Sequence, residues 1–358
     1  MVSIIKILSV FLIAMLFLAL PVHSQAEEKP FSQESFVFQG SELIPECYHP
    51  SLICLPDGSL ACVWASGSGP LALDTSIKIS YKARGESAWS VPVTVADDIG
   101  YPDNFSLLAR LPQGNIRLFY ATLYRAKRKA PPGENLAAWH LKYKDSRDGG
   151  QAWSGDFFLV PESDWVPCSR MIRLTNGDLI LPATDISDHV SMFLVSEDKG
   201  GYWKELSRIT APAGLVDPSV TELEPGRLMS LLRPHEKGER KHLLWRTESS
   251  DNGRTWSEPL PTGLKNPGGP VELLKLANGH LLLAYNDHSL WLTPLTLAIS
   301  TDGGATWQAG RNLETGKWDI RNPSLVQADD GRIHLVYVSR NIYLKHLEIS
   351  ESWIMEKK

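Results

Sequence analysis

A short pattern, Ser-x-Asp-x-Gly-x-x-Trp, occurs four times between residues 146 and 307 of this 358-residue chain. The copies begin at Ser146, Ser196, Ser249 and Ser300, and their tryptophans are 50, 53 and 51 residues apart. A fixed period of this size is what a four-stranded propeller blade requires. In such a turn Asp accepts hydrogen bonds from nearby amides, Gly tolerates positive φ, and Trp packs between sheets. The pattern therefore predicts repeated strand-to-strand turns, with a structural rather than a catalytic or calcium-binding role.

A second repeat runs along the whole chain: an apolar strand, the motif Leu-x-x-Gly, and another apolar strand. Each glycine predicts a hairpin between the two innermost strands of a blade. The glycines are Gly58, Gly114, Gly177, Gly226, Gly279 and, with Ala in place of Leu, Gly331. Six hairpins predict an all-β, six-bladed β-propeller of four-stranded antiparallel blades over residues 31–355. The last blade lacks one strand, and we expect residues 35–39 to supply it and close the ring.

Residues 1–26 have the composition of a secretory signal peptide. Lys6 precedes an apolar run at residues 7–20, and the small residues Ser24 and Ala26 suit cleavage. The run is short for a spanning helix, although an uncleaved anchor is the alternative. No later segment has the length of a membrane span. We therefore expect an extracytoplasmic protein, periplasmic or secreted, with no membrane span after cleavage.

The charge balance argues against one large class of function. The chain has 36 Lys and Arg residues against 41 Asp and Glu, a formal charge of −5, and loss of Lys6 with the signal peptide makes it −6. Nucleic-acid-binding domains are typically basic, so we expect no nucleic-acid partner. The sequence has no Cys-x-x-Cys, His-Glu-x-x-His or tight histidine cluster, and we predict neither a metal nor another cofactor. We expect a single-domain monomer.

Four cysteines permit disulfides in an oxidising compartment without requiring them. Cys54 and Cys62 flank the hairpin turn at residues 57–58 and are expected on opposite faces, which argues against a bond between them. Cys47 and Cys168 both precede inner strands. A disulfide between these two, across the mouth of the propeller, is one alternative that the sequence leaves open.

Ligands of a propeller meet the starts of the inner strands around the central axis, so positions at a fixed distance from each hairpin glycine share one spatial layer. Nine residues before the glycines stand His49, Phe105, Cys168, Asp217, Pro270 and Asn322. Seven residues after them stand Ala65, Ala121, Thr184, Arg233, Asn286 and Val338. Arg233 is the one charged residue of the second layer, and the count places it beside Asp217.

Two constellations in these layers are candidates for chemistry. Asp217 and Arg233 form either a structural ion pair or a site in which Arg233 binds a substrate carboxylate and Asp217 orients a neighbouring group. His49 is either a hydrogen-bonded structural histidine or, with Tyr48, an acid and a base that function near neutral pH. The predicted catalytic residues are accordingly His49, Tyr48 and Asp217. The predicted substrate-binding residues are Arg233, Arg321, Asn322, Arg170, Asn104 and Asn286.

Repeats of this form on a six-bladed chain with a signal peptide resemble the sialidase (neuraminidase) superfamily, known for its Asp-box or BNR repeats. The resemblance covers nearly all of the mature chain and implies a carbohydrate substrate. It also implies three arginines that clamp a carboxylate, a nucleophilic Tyr assisted by a Glu, and an Asp acid/base. Arg233 matches the middle arginine, and Asp217 occupies the place of the glutamate.

The other positions depart from the family pattern. Tyr48 occupies the place of the first arginine, residues 290–293 lack the third, and Asn322 replaces the nucleophilic Tyr. We therefore expect a sialidase-like carbohydrate-active enzyme, a glycosidase or lyase, that acts on a different and acidic glycan. Two alternatives remain: a non-catalytic propeller that binds glycan or protein, and an exo-α-sialidase with rearranged catalytic residues.

Overall fold

The computed structural model describes residues 29–40, 46–125, 137–160, 163–212, 214–235 and 242–356. The predicted signal peptide at residues 1–26 lies outside these ranges and stays a prediction. Within the described ranges, none of the helices has the length and apolar character needed to cross a membrane.

The described residues form an all-β fold of 25 strands with one five-residue helix. In the first half of the chain the strands are β1 (Ser32–Gln39), β2 (Glu46–Cys54), β3 (Leu60–Gly67), β4 (Ser76–Lys82), β5 (Val93–Ala96), β6 (Asp103–Arg110), β7 (Ile116–Arg125), β8 (Ala137–Ser146), β9 (Phe157–Val160), β10 (Trp165–Pro167), β11 (Ile172–Arg173) and β12 (Leu179–Asp185). In the second half they are β13 (Val190–Ser196), β14 (Lys204–Ile209), β15 (Leu215–Glu224), β16 (Arg227–Pro234), β17 (Leu243–Ser249), β18 (Leu260–Lys265), β19 (Glu272–Lys275), β20 (Leu281–Asn286), β21 (Leu295–Ser300), β22 (Gln308–Asn312), β23 (Ile320–Gln327), β24 (Ile333–Ser339) and β25 (Tyr343–Ile349), followed by α1 (Glu351–Met355).

Antiparallel pairing of consecutive strands builds the sheets. Strands β2–β5, β6–β9 and β19–β22 each form a four-stranded sheet in chain order. Strands β10–β18 form a nine-stranded sheet whose two antiparallel halves meet through one parallel pair, Val190 opposite Leu215. The last four-stranded sheet has the order β1-β25-β24-β23, so the first strand of the chain pairs with the last, as the sequence predicts for residues 35–39.

The Leu-x-x-Gly motifs form the predicted hairpins between the first two strands of each antiparallel group. All six glycines have positive φ, from 80° to 97°. In five of them the glycine amide donates to the carbonyl three residues earlier, as Gly58 does to Leu55 at 2.9 Å. At Gly226 the acceptor is instead the Glu222 carboxylate, at 2.9 Å. A left-handed residue closes each turn, which explains why glycine recurs there.

The Ser-x-Asp-x-Gly-x-x-Trp copies form turns between the third and fourth strands. In the first copy the Ser146 hydroxyl donates to Asp148 at 2.8 Å and accepts from the Gly150 amide at 2.7 Å. A side chain at Gly150 would collide with the Tyr81 hydroxyl of the preceding sheet. The tryptophans pack between sheets; the Trp203 ring meets Phe119 edge to face, with centroids 5.6 Å apart. These observations support the structural role predicted for the motif.

The apolar core lies between neighbouring sheets rather than at the centre of the molecule. One cluster joins β2–β4 to β6 and β7, for example, and another joins β1, β24 and β25 to β2 and β3. The second cluster includes Cys47, which is fully buried beside Trp64. All four cysteines are free, so the disulfide considered between Cys47 and Cys168 is not formed. Cys47 belongs to this core, whereas Cys168 lies at a polar cavity.

Candidate functional site

A cavity of about 350 Å³ lies where the first strands of the antiparallel groups begin. Its lining includes all six positions found by counting nine residues back from the hairpin glycines: His49, Phe105, Cys168, Asp217, Pro270 and Asn322. Of the second counted layer, Thr184 and Arg233 line it. The repeat length therefore predicted the residues that converge from the six antiparallel groups, because each inner strand has nearly the same length between its hairpin and the cavity.

A β-bulge marks four of these six positions. His49, Phe105, Asp217 and Asn322 have positive φ between 43° and 56°, and the strand register shifts at each of them. A bulge interrupts the alternation of side chains and redirects one of them. For residues other than glycine, such backbone angles cost free energy and tend to occur at functional sites. The sequence count located these positions but could not predict the bulges.

Arg233 and Asp217 form an ion pair at the cavity. The Arg233 Nε atom donates to Asp217 Oδ2 at 2.5 Å, and both side chains are about one-fifth exposed. The Asp217 backbone amide donates to the Thr184 hydroxyl at 2.9 Å. Cys168 donates weakly to Asp217 Oδ1 at 3.6 Å, and burial raises the pKa of its thiol well above the usual value. Asp217 accepts a hydrogen bond only from Nε of the guanidinium. The two terminal nitrogens of Arg233 are therefore not engaged by Asp217.

His49 is held in one tautomer by Asn104. The Asn104 side-chain oxygen accepts from the Phe105 amide at 2.8 Å, while its nitrogen donates to the Pro70 carbonyl at 2.9 Å. The same oxygen lies 2.8 Å from His49 Nδ1, so Nδ1 carries the proton. Burial lowers the pKa of His49, and its ring stacks on Phe105 with centroids 4.4 Å apart. The imidazole is therefore neutral at pH 7, with the lone pair on Nε2.

Four predicted site residues are not in the cavity lining: Tyr48, Asn104, Asn286 and Arg170, which borders a separate chamber. Tyr48 is buried in the core between β2–β4 and β6–β7, and its hydroxyl donates to Glu46. Asn104 is buried behind His49, which it orients. Asn286 is fully buried and donates to the Ile320 carbonyl at 2.9 Å. The structure thus separates Tyr48 from His49, which the sequence paired as acid and base, because the bulge at His49 redirects the chain.

The remaining predicted arginines occupy different depths. Arg321 lines the cavity and forms an ion pair with Asp319. Arg170 borders a second chamber of about 30 Å³, which shares His49 and Asn322 with the cavity. There its Nε atom lies 3.6 Å from Glu272 Oε1, and neither atom has a hydrogen-bond partner. Burial raises the pKa of Glu272 to about 8 despite the neighbouring guanidinium.

No group of three or more His, Cys, Asp or Glu side chains within the described ranges is arranged to hold a metal ion. Among its described lining residues, the cavity brings together the guanidinium of Arg233, the carboxylate of Asp217 and the neutral imidazole of His49.

A family model described as the BNR repeat-like domain matches residues 58–335, which is more than half of the chain. The chain belongs to this family. Within the curated proteins, this BNR repeat-like chain is 26% identical over 217 residues to a sialidase of Bacteroides fragilis, covering 54% of this chain and 38% of that protein. It is 23% identical over 180 residues to an exo-alpha-sialidase of Aspergillus fumigatus, covering 48% of this chain and again 38% of the relative. The chain thus spans well under half the length of these two relatives.

Solved structures share the fold of this BNR repeat-like protein at low identity. The Hadza microbial sialidase Hz136 superposes with a TM-score of 0.75 and 19% identity, over 89% of this chain and 69% of the sialidase. A protein of unknown function from Dyadobacter fermentans superposes with a TM-score of 0.71 and 17% identity, over 89% of this chain and 99% of the other. The chain is therefore a sialidase-like member of the BNR superfamily with an all-β fold.

Two cavity residues of this BNR repeat-like protein were missed in the sequence. The His189 and His235 rings stack with their centroids 3.6 Å apart, and both line the cavity. His189 immediately precedes β13, and His235 immediately follows β16, two positions beyond Arg233. Extending the count from seven to nine residues after Gly226 would have found His235. His189 comes from a connection between strands, for which the repeat gives no fixed position.

Proposed function

We propose that the protein is an exported, six-bladed sialidase-like β-propeller that cleaves an acidic glycan at the cavity containing Arg233, Asp217 and His49. Contacts around the ring support the propeller. Inner strand β2 packs against both β6 and β23, and β19 packs against both β15 and β23. The pairing of β1 with β25 then closes the ring and removes two exposed sheet edges.

The observation that carries the proposal is the Arg233–Asp217 ion pair at the cavity. A guanidinium whose Nε is held by a carboxylate keeps its terminal N–H groups in a fixed orientation, which suits a carboxylate ligand. Arg321 places a second guanidinium in the same lining, paired with Asp319. Because the chain carries a net negative charge, an anionic glycan would be attracted by these local guanidinium groups and not by the overall field of the protein.

The neutral His49 favours β-elimination from a uronate over hydrolysis. Nε2 of His49 removes the proton α to the sugar carboxylate while Arg233 neutralises the developing charge. The C–O bond at the β position breaks, a C=C bond forms, and the leaving oxygen takes up a proton from the imidazolium or solvent. Hydrolysis usually needs two carboxylic acids, and Asp217 is the sole carboxylate among the described residues that line the cavity.

Product release from acidic polysaccharides tests this function. The purified exported protein is incubated with pectate, alginate and hyaluronan, and products are followed by mass and by absorbance of the new C=C bond. Unsaturated products that disappear in Arg233→Gln and His49→Gln, with unchanged circular dichroism, are expected. Saturated products would show that the protein cleaves the glycan by hydrolysis and not by elimination.

A second candidate is a non-catalytic glycan-binding propeller. Asn322 stands in the cavity where the sialidase resemblance places a nucleophilic Tyr, which favours loss of the ancestral reaction. Binding of these polysaccharides without any product would support it. The third alternative, an exo-α-sialidase with rearranged residues, predicts that the protein releases free sialic acid from an aryl sialoside.

A further inference from the structure

An open pocket of about 780 Å³ lies beside the central cavity, and the function proposed above gives it no role. Its lining includes Lys317, Trp318, Asp319, Arg340 and Tyr343. These residues come from the connection before β23 and from the turn between β24 and β25. We call it the outer pocket.

One ion pair forms the wall between the outer pocket and the central cavity. Asp319 lines the outer pocket, and its carboxylate pairs with Arg321, which lines the central cavity. The Asp319 carbonyl also accepts a hydrogen bond from the Arg340 amide at 3.0 Å. The outer pocket and the central cavity are therefore neighbours. The backbone between them is held by the Asp319–Arg321 ion pair and by the hydrogen bond from the Arg340 amide.

The outer pocket combines aromatic surface with positive charge. The Trp318 side chain is 54% exposed, and the Arg340 guanidinium lies 4.7 Å from the centroid of its ring. The same guanidinium is 6.0 Å from the Tyr343 ring. Stacking on aromatic rings limits the freedom of Arg340 and orients its N–H groups. Because Arg321 offsets the charge of Asp319, the charges of Lys317 and Arg340 give the pocket a positive field.

We propose that the outer pocket is a second saccharide subsite, which binds another acidic unit of the glycan chain held in the central cavity. This inference rests on the proposed function. Trp318 supplies an apolar surface for a sugar ring, and Lys317 and Arg340 bind its carboxylate. Occupying both recesses with one chain makes binding of the second unit intramolecular, so affinity rises with chain length. The protein consequently prefers an acidic oligomer to a single sugar.

The test compares galacturonic acid with tetragalacturonate by calorimetry on the exported protein. Every protein compared carries His49→Gln, so that the tetramer is bound without being cleaved, and wild type here means this parent protein. We expect wild type to bind the tetramer at least about tenfold more tightly than the monomer. Trp318→Ala and Arg340→Gln remove most of that gain and leave monomer affinity unchanged. Tyr202→Ala is the matched control, because Tyr202 is also an exposed aromatic residue but lies beyond the opposite end of β13 from His189. Circular dichroism verifies folding of each variant.

Arg233→Gln separates failure of this inference from failure of the proposed function. If Arg233→Gln abolishes binding while Trp318→Ala leaves the tetramer gain intact, the central site stands and the outer subsite is wrong. If Trp318→Ala weakens tetramer binding while Arg233→Gln changes nothing, the outer pocket binds glycan alone and the central proposal fails. Equal affinity for both sugars, or no tetramer binding by wild type, overturns the outer subsite.

Discussion

Asp217 accepts a hydrogen bond from Arg233 although the two residues are not directly paired in their sheet. Val216 is the residue opposite Arg233, so in a regular strand the Asp217 side chain would project to the other face. The positive φ of Asp217 and the accompanying register shift bring its carboxylate to Nε of Arg233, at 2.5 Å. The strained backbone is thus what assembles the cationic site.

Two substitutions of Arg233 distinguish the contribution of its positive charge to activity from that of its planar hydrogen-bonding geometry. We expect Arg233→Gln to reduce kcat/KM on an acidic polysaccharide roughly 100-fold or more, the size of effect typical for loss of a group that stabilises a developing negative charge. Arg233→Lys keeps the positive charge but loses the planar fork, so it restores only part of the activity. Steady-state kinetics on both variants measure this. Wild-type activity in Arg233→Gln would show that the guanidinium has no part in the reaction.

The pH profile of kcat/KM reports on His49. Burial lowers its pKa below 6.5, and the base must be neutral, so activity is expected to persist as pH falls through 6.5 and to decline only at lower pH. Asn104→Asp places a negative charge beside Nδ1, which favours the imidazolium and moves the acid limb to higher pH. An acid limb that stays in place in this variant would exclude His49 as the titrating base.

Much of the fold followed from the sequence because the repeats encode turns with specific requirements. The hairpin at Gly58 requires a residue with positive φ, and the turn at Asp148 requires a side chain that accepts hydrogen bonds from the amides of that turn. Both requirements are local, so both turns can be recognised in the sequence without knowledge of tertiary contacts. A constant distance from hairpin to cavity then predicted the convergence of His49, Asp217 and Asn322.

The side-chain directions at the cavity did not follow. A bulge depends on how neighbouring strands meet, and one such shift places Tyr48 in the core while its neighbour His49 lines the cavity. The contribution of His189 depends on a connection outside the repeat. Arg170, which was predicted to bind substrate, borders the smaller chamber next to Glu272 of a different sheet, and its role stays a prediction.

Asn322 tests the cost of the bulge conformation. Its φ of 55° is tolerated by Asn and Gly but is unfavourable for β-branched residues. We expect Asn322→Val to lower the free energy of unfolding by about 1–3 kcal/mol, whereas Asn322→Gly leaves it nearly unchanged. Denaturant unfolding of the two variants provides the comparison. Equal stability of both variants would show that the bulge imposes no such restriction.

Two buried histidines predict acid sensitivity of the sheet that contains β1. His334 Nδ1 lies 3.1 Å from His346 Nε2, and burial lowers their pKa values to about 4 and about 3. Between pH 6.5 and these values the unfolded chain binds protons that the folded chain does not. The free energy of unfolding therefore falls with decreasing pH, by about 1.4 kcal/mol per pH unit for each histidine.

Unfolding measured from pH 7 to pH 4 tests this acid sensitivity by comparing wild type with variants. A His334→Gln/His346→Gln double variant should lose stability less steeply, whereas His242→Gln, outside this sheet, should follow wild type. Parallel curves for wild type and the double variant would contradict the prediction.

The contact between the partly exposed Arg170 and the buried Glu272 predicts a coupling that becomes strong where the carboxyl is ionised. Glu272 is 3% exposed, and its raised pKa shows that desolvation outweighs the attraction of the guanidinium 3.6 Å away. At pH 9, above the raised pKa of Glu272, Arg170→Met leaves an ionised carboxyl without its cation and is expected to cost up to about 3 kcal/mol of unfolding free energy, whereas the cost at pH 7 is smaller because the carboxyl is largely protonated there. Arg170→Met/Glu272→Leu removes both charges, so it should recover most of that loss. A double-mutant cycle by denaturant unfolding measures the coupling, and additive losses would mean that the two groups do not interact.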